Sequence, residues 1–154
     1  RIIDERVTYV LTSMLEDVIR RGTGRRARVL ERNDLAGKTG TTNGPRDAWF
    51  SGYNKDLVTT TWVGFDDYSL MGRREFGGTA ALPIWIDFMR VALPPESATA
   101  EMPPGVVRLR IDKDSGQRTD SQSSSTWEVF LQEFTPANQR GRNNSDSEDL
   151  DGLF

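Results

Sequence analysis

The apolar residues at the start of the chain recur with a helical period. Val7, Val10, Leu11, Met14, Leu15, Val18 and Ile19 fall at i, i+3, i+4, i+7, i+8, i+11 and i+12, which gathers them into one stripe. Asp4 stands where a side-chain oxygen can accept from the first free amides. Arg20 and Arg21 suit the negative end of the helix dipole, and Gly22 is a natural stop. Gly22-Thr23-Gly24 reads as a flexible connection into an arginine-rich segment. From Leu35 the pattern changes to strands at Leu35–Asn43, Asp47–Tyr53 and Leu57–Phe65. The turns Asn43-Gly44-Pro45-Arg46 and Asn54-Lys55-Asp56 separate them. Such short turns require antiparallel neighbours, since a parallel crossover needs a dozen or more residues. Asp66–Gly78 reads as a surface loop. Thr79 is placed to cap a helix over Ala80–Leu93, with Pro83 tolerated in its first turn. Only Asp87 and Arg90 interrupt the apolar character of that helix, so it is expected to be buried against one face of the sheet. The fold class expected is α+β, an antiparallel sheet packed with helices.

Past Leu93 the pattern loosens. Pro94-Pro95 and Pro103-Pro104 bracket a linker, Val106–Ile111 alternates like a strand, and Trp127–Leu131 reads as its partner across the turn Asp112–Gly116. A two-stranded ribbon of this kind is marginal unless it docks on something. The expected organisation is a main domain over 1–94, an extension with a β-ribbon over 95–136, and a disordered acidic tail over 137–154. The Ser-rich run 121–125 is also expected to be mobile.

Composition narrows the chemistry more than the fold. The 154 residues are 36% hydrophobic and 28% charged, with no cysteine and no histidine. Disulfides, thiolate catalysis, Ser-His-Asp triads and His- or Cys-ligated metals are excluded together, which leaves acid–base work to Lys, Asp, Glu or Tyr. No cofactor or metal is expected; Asp66-Asp67 reads as a solvated acidic pair. No run approaches the roughly 18 apolar residues of a membrane span. The chain opens Arg1-Ile2-Ile3, without an initiator Met or a signal pattern, and is read as a fragment or a processed product. A net charge of −3 gives no general pull toward nucleic acid. The six arginines between 20 and 32 lack interleaved aromatics and read as a solvated face or a rim over anionic material. Trp49, Phe50, Trp62, Phe65 and Trp85 are expected in the core.

Gly37-Lys38-Thr39-Gly40 carries the strongest chemical signal. A phosphate-binding loop would need a glycine where Arg32 stands and a helix opening at the lysine, which Thr39-Gly40-Thr41-Thr42 disfavours. As a strand beside an extended peptide, the same residues have defined uses. Lys38 supplies a cation for the proton network of a serine and for a substrate carboxylate. Gly40 leaves room for a substrate backbone. Thr39 and Thr41 offer hydroxyls to a carboxylate, and the Thr41 amide can face a developing oxyanion. A lysine merely guarding a sheet edge is the bland alternative.

The wider context selects between them. Arg21-Gly22-Thr23-Gly24, Leu35–Asn43 with its Lys-Thr-Gly, Asp47–Tyr53, Trp62-Val63-Gly64-Phe65-Asp66 and Gly77–Trp85 closely resemble the class A penicillin-binding proteins of bacteria. The likeness runs from about Thr8 to Leu93 and more loosely from Val106 to Pro136. It implies the C-terminal part of a serine-type D,D-transpeptidase domain, nearest to the bifunctional peptidoglycan synthases. Those enzymes acylate a serine with stem peptides ending in D-Ala-D-Ala, cross-link them, and are trapped by β-lactams. By the resemblance Lys38 is catalytic, and Thr39, Gly40 and Thr41 bind substrate. The family's Ser-x-x-Lys and Ser-x-Asn motifs are missing here: Met14-Leu15-Glu16 follow Ser13, and Gly52-Tyr53-Asn54 follow Ser51. The serine, the membrane anchor and the glycosyltransferase domain are therefore expected on a missing N-terminal part, on the periplasmic side of the inner membrane. The chain alone is expected to be inactive. A serine β-lactamase fragment and a non-catalytic wall-binding module are the rival readings.

Overall fold

The computed structural model describes residues 2–95 and 99–138. The chain folds as two compact units, one running to Pro104 and the other starting at Gly105.

The first unit opens with α1 (Glu5–Arg20), capped by the Asp4 carboxylate, which accepts from the Arg6 amide at 2.8 Å. The helix is where the periodicity puts it, but its stripe is not a buried seam. Ile19 is buried, whereas Val7, Leu11 and Met14 are exposed. The part-buried side carries Thr12, Ser13 and Glu16, and Thr12 shares a 2.9 Å hydrogen bond with the Tyr53 hydroxyl. Gly22-Thr23-Gly24 is not a loose connection. The amides of Gly22 and Gly24 both donate to the Val18 carbonyl (3.2 and 2.9 Å), wrapping the chain tightly around the helix end. A Cβ on Gly22 would lie 2.9 Å from Val18 Cα, so a side chain there would force the wrap open. A short helical turn, Arg25–Leu30, follows.

The strands β1 (Ala36–Thr41), β2 (Asp47–Tyr53) and β3 (Val58–Gly64) form an antiparallel sheet in the order β1-β2-β3. A single π-helical turn, Gly77–Ala81, leads into α2 (Leu82–Ala92). The helix starts later than the threonine predicts. The Thr79 hydroxyl instead accepts from the Phe76 amide at 2.9 Å and donates to the Arg74 carbonyl, which closes the preceding turn.

The core lies between α2 and one face of the sheet. Ala48, Phe50, Ala81, Leu82, Trp85 and Met89 are all fully buried, and Phe50 meets Trp85 edge to face at 4.9 Å, worth about 0.5–1.5 kcal/mol beyond area burial. Two expectations fail here. Trp49, Trp62 and Phe65 are 41, 43 and 53% exposed rather than core. The period of two decides this: once Phe50 points toward α2, its neighbour Trp49 must point away, and Trp62 pairs with Trp49. Nor is α2 buried all round, since Ile84, Phe88 and Val91 are exposed. A helix laid on one sheet face covers only its facing side.

A polar anchor joins the ends of these elements. Asp34, with a side chain only 2% exposed, takes Arg32 at two points (2.9 and 2.6 Å) and the Asn54 amide at 3.2 Å. Arg32 also donates to the Pro94 carbonyl at 2.6 Å. The arginine-rich segment is thus only partly a solvated face: Arg20 and Arg21 pair back to α1 acids, and Arg32 ties the start of β1 to the end of α2.

In the second unit β4 (Val106–Asp112) pairs antiparallel with β5 (Ser125–Leu131), opposing Arg110 to Trp127. Both Arg108 and Arg110 lie over the Trp127 ring, at 5.5 and 4.9 Å. The Ser-rich run is drawn into the connection: Lys113 donates to the Ser124 carbonyl at 2.9 Å, and Ser125 begins β5. Most of the tail expected over 137–154 lies outside the described residues.

Candidate functional site

β1 is the outermost strand of its sheet, and it carries the four residues singled out in the sequence. Lys38 and Thr41 are exposed; Thr39 and Gly40 are part-buried. The register opposes Thr39 to Phe50 and Thr41 to Ala48, so both threonines lie on the α2 face, while Lys38 and Gly40 lie on the other. The Lys38 ammonium folds over the strand, donating to the Thr39 carbonyl at 2.8 Å and reaching the Thr39 hydroxyl at 3.4 Å. Thr42 donates its N–H inward to the Asp47 carbonyl at 3.2 Å. Amides alternate sides along an antiparallel strand, so the Thr41 N–H is directed to the outer edge. The structure therefore brings a cation, a hydroxyl and a backbone donor to one strand margin.

Two further residues join the site. Thr23 shares a 2.8 Å hydrogen bond between hydroxyls with Thr39, and Gly77 donates its amide to the Thr41 hydroxyl at 3.0 Å. Gly77 has no alternative in this place, because a Cβ would come within 2.3 Å of the Trp49 carbonyl oxygen. Arg26 leans on the adjacent Gly78 carbonyl at 3.5 Å. The signal lies in the glycines themselves: Gly22 and Gly24, which flank Thr23, and the Gly77-Gly78 pair mark close backbone approach. A cleft of about 410 Å³ near Arg32, Met89 and Leu93 lies away from this strand and includes none of these residues. Among the described residues no group of three acidic side chains is placed to hold a metal ion.

Comparison with known proteins bears on the chemistry. No protein-family model matches the chain. It is 58% identical over 139 residues to penicillin-binding protein 1A of Pseudomonas aeruginosa, covering 88% of this chain and 17% of that protein. Penicillin-binding protein 1A of Neisseria gonorrhoeae is 50% identical over 106 residues, covering 68% of this chain and 13% of that protein. The crystal structure of penicillin-binding protein 1A from Haemophilus influenzae superimposes with a TM-score of 0.83 at 33% identity, over 91% of this chain and 22% of that one. The chain belongs to the class A penicillin-binding proteins. It spans about a sixth of the length of the Pseudomonas relative. Its α+β architecture, antiparallel strands packed with helices, is the one this likeness carries. No Ser-x-x-Lys occurs in the sequence beside its Lys38-Thr39-Gly40.

Proposed function

We propose that this chain supplies one wall of a serine-type D,D-transpeptidase site in peptidoglycan synthesis. The observation that carries the reading is the Lys38 ammonium on an outermost strand of a class A penicillin-binding protein, with the Thr39 hydroxyl and the Thr41 amide at the same margin. Lys38 holds the proton network of a serine contributed by the preceding part of the protein, and attracts the substrate carboxylate. The serine oxygen attacks the penultimate D-alanine carbonyl, the bond to the terminal D-alanine breaks, and the proton passes to the leaving amine. An amine of a neighbouring stem then takes the acyl group and releases the serine. The Thr41 amide meets the negative oxygen in both tetrahedral stages. Thr39 and Thr41 receive the terminal carboxylate, and Gly40 clears the path of the substrate backbone. Penicillins enter as mimics of the D-alanyl-D-alanine end. The full protein adds a glycosyltransferase domain and a membrane anchor, and works on the periplasmic side of the inner membrane; no helix among the described residues is long and apolar enough to cross a membrane.

The test is Lys38→Ala in the full-length protein, read by covalent labelling with a fluorescent penicillin. Removing the charge is expected to cut labelling at least about a hundredfold, the scale of losing a pre-organised electrostatic group. The far-ultraviolet circular dichroism should not change. Undiminished labelling would overturn the assignment. Rapid penicillin hydrolysis in place of a stable adduct would make the protein a β-lactamase, and binding of wall peptides without acylation would make it a non-catalytic module.

A further inference from the structure

The face of the sheet turned away from α2 is organised in cross-strand rows. Lys38, Ser51 and Thr60 make one row; Gly40, Trp49 and Trp62 make the next. In the first row the Ser51 and Thr60 hydroxyls share a 2.9 Å hydrogen bond. In the second, the two indoles stand 6.1 Å apart, tilted by 47°, and more than two-fifths of each is open to solvent. Two large aromatic side chains left on a surface are an unfavourable arrangement unless something covers them in use.

The Trp62 ring is held in place before anything binds. Trp62 donates its indole N–H to Asp47 at 2.8 Å. A Cβ on Gly64 would lie 2.6 Å from the Trp62 ring, so only glycine lets the ring lie down there. A Cβ on Gly40 would lie 3.2 Å from Trp49 Cβ, so the missing side chain at Gly40 is also what opens Trp49 to the β1 margin. Toward the opposite end of this face, Tyr53 is tied to Thr12 of α1.

We propose that Trp49 and Trp62 form an apolar subsite for the acyl donor, next to Lys38. The occupant is the aliphatic stretch preceding the D-alanyl-D-alanine end of the stem peptide, or the acyl side chain of a penicillin that imitates it. This rests on the transpeptidase reading given above. Reach supports the choice. Two residues along a strand and one strand across place the Trp49 backbone about 8 Å from that of Lys38. A ligand whose carboxylate meets Lys38 therefore brings a group about two residues, roughly six bonds, further along its chain to the indoles. The subsite selects by apolar contact, and Lys38 by charge, so the two act on different parts of one ligand. Trp49 and Trp62 are specificity-determining residues and take no part in proton transfer.

The experiment measures the second-order acylation rate of the full-length protein by benzylpenicillin and by the side-chain-free penicillin nucleus, aminopenicillanic acid. Trp49→Ala and Trp62→Ala are expected to slow benzylpenicillin about tenfold and to leave the bare nucleus within about twofold, as for loss of one apolar group's contact in a pocket. Trp49→Phe should recover most of the loss. Equal slowing of both compounds would mean that the indoles only pack against another part of the protein, and no slowing of either would mean that nothing rests on them; each outcome overturns the proposal. Trp62→Phe, which keeps an aromatic ring, answers the same question if Trp62→Ala fails to fold. A wild-type protein that reacts with neither compound would instead sink the transpeptidase reading, and this inference with it.

Discussion

Trp49 and Phe50 are neighbours in the chain and live in opposite environments. Phe50 is fully buried against Trp85, while Trp49 lies on the open face beside Gly40 and Trp62, 41% exposed. The alternation of β2 and β3 repeats this division. One face, with Ala48, Phe50 and Gly52, is closed by α2 and holds the unit together. The other presents Lys38, two paired hydroxyls and two indoles, one of them hydrogen-bonded to Asp47. Glycines serve both faces by opposite means. On the closed face Gly52 makes room for the Trp85 ring; on the open one Gly40 gives access to Trp49. On the proposed reading, stability and recognition fall to alternate residues of the same strands, so a substitution should disturb one without the other.

Trp85→Ala should sharpen this contrast most. It removes the largest fully buried side chain and is expected to cost about 3–5 kcal/mol in urea unfolding. Trp49→Ala, of equal chemical size on the open face, should cost about 1 kcal/mol or less. Comparable losses from the two would break the division. Next come the glycines. Gly52→Ala would place its methyl 2.6 Å from the Trp85 ring, and overpacking of that kind costs about 1–3 kcal/mol. Gly40→Ala meets Trp49 at 3.2 Å on the open side; it should leave the melting temperature nearly unchanged and slow benzylpenicillin acylation in the full-length protein.

The smallest expected effect lies in α1, which turns polar residues inward. Burial raises the pKa of Glu16, against the opposing pull of Arg20 at 2.7 Å. A carboxyl that binds its proton more tightly folded than unfolded favours folding in acid. Its contribution should decline as pH rises from the ordinary glutamate range through the raised folded value, then stay level. Glu16→Gln should flatten that part of a plot of melting temperature against pH without destabilising the protein at neutrality. An unchanged slope would show that Glu16 titrates alike in both states.

The strands were legible because period-two alternation and Asn/Gly/Asp turns are local signals. Asp47–Tyr53 begins and ends where the pattern puts it, and β1 and β3 differ from it by one or two residues at their ends. The helix caps were legible in part: Asp4 caps α1, while Thr79 closes a turn instead, because its hydroxyl finds the Phe76 amide first. The aromatic residues misled for a definite reason. Hydrophobicity says that a side chain gains by leaving water, and it does not say which face of a sheet will be covered.

The sequence alone determined the element types, the antiparallel connection, the exclusion of histidine and cysteine chemistry, and the family likeness around Lys38, since each rests on residue identity or short-range spacing. Tertiary structure decided which side of each element is covered, that Thr23 and Gly77 reach the β1 threonines, and that two tryptophans share a face with the lysine. Those facts depend on register and on contacts between residues 16 to 36 positions apart. No local preference encodes such distances; they follow only when α2 settles on one face of the sheet and leaves the other open.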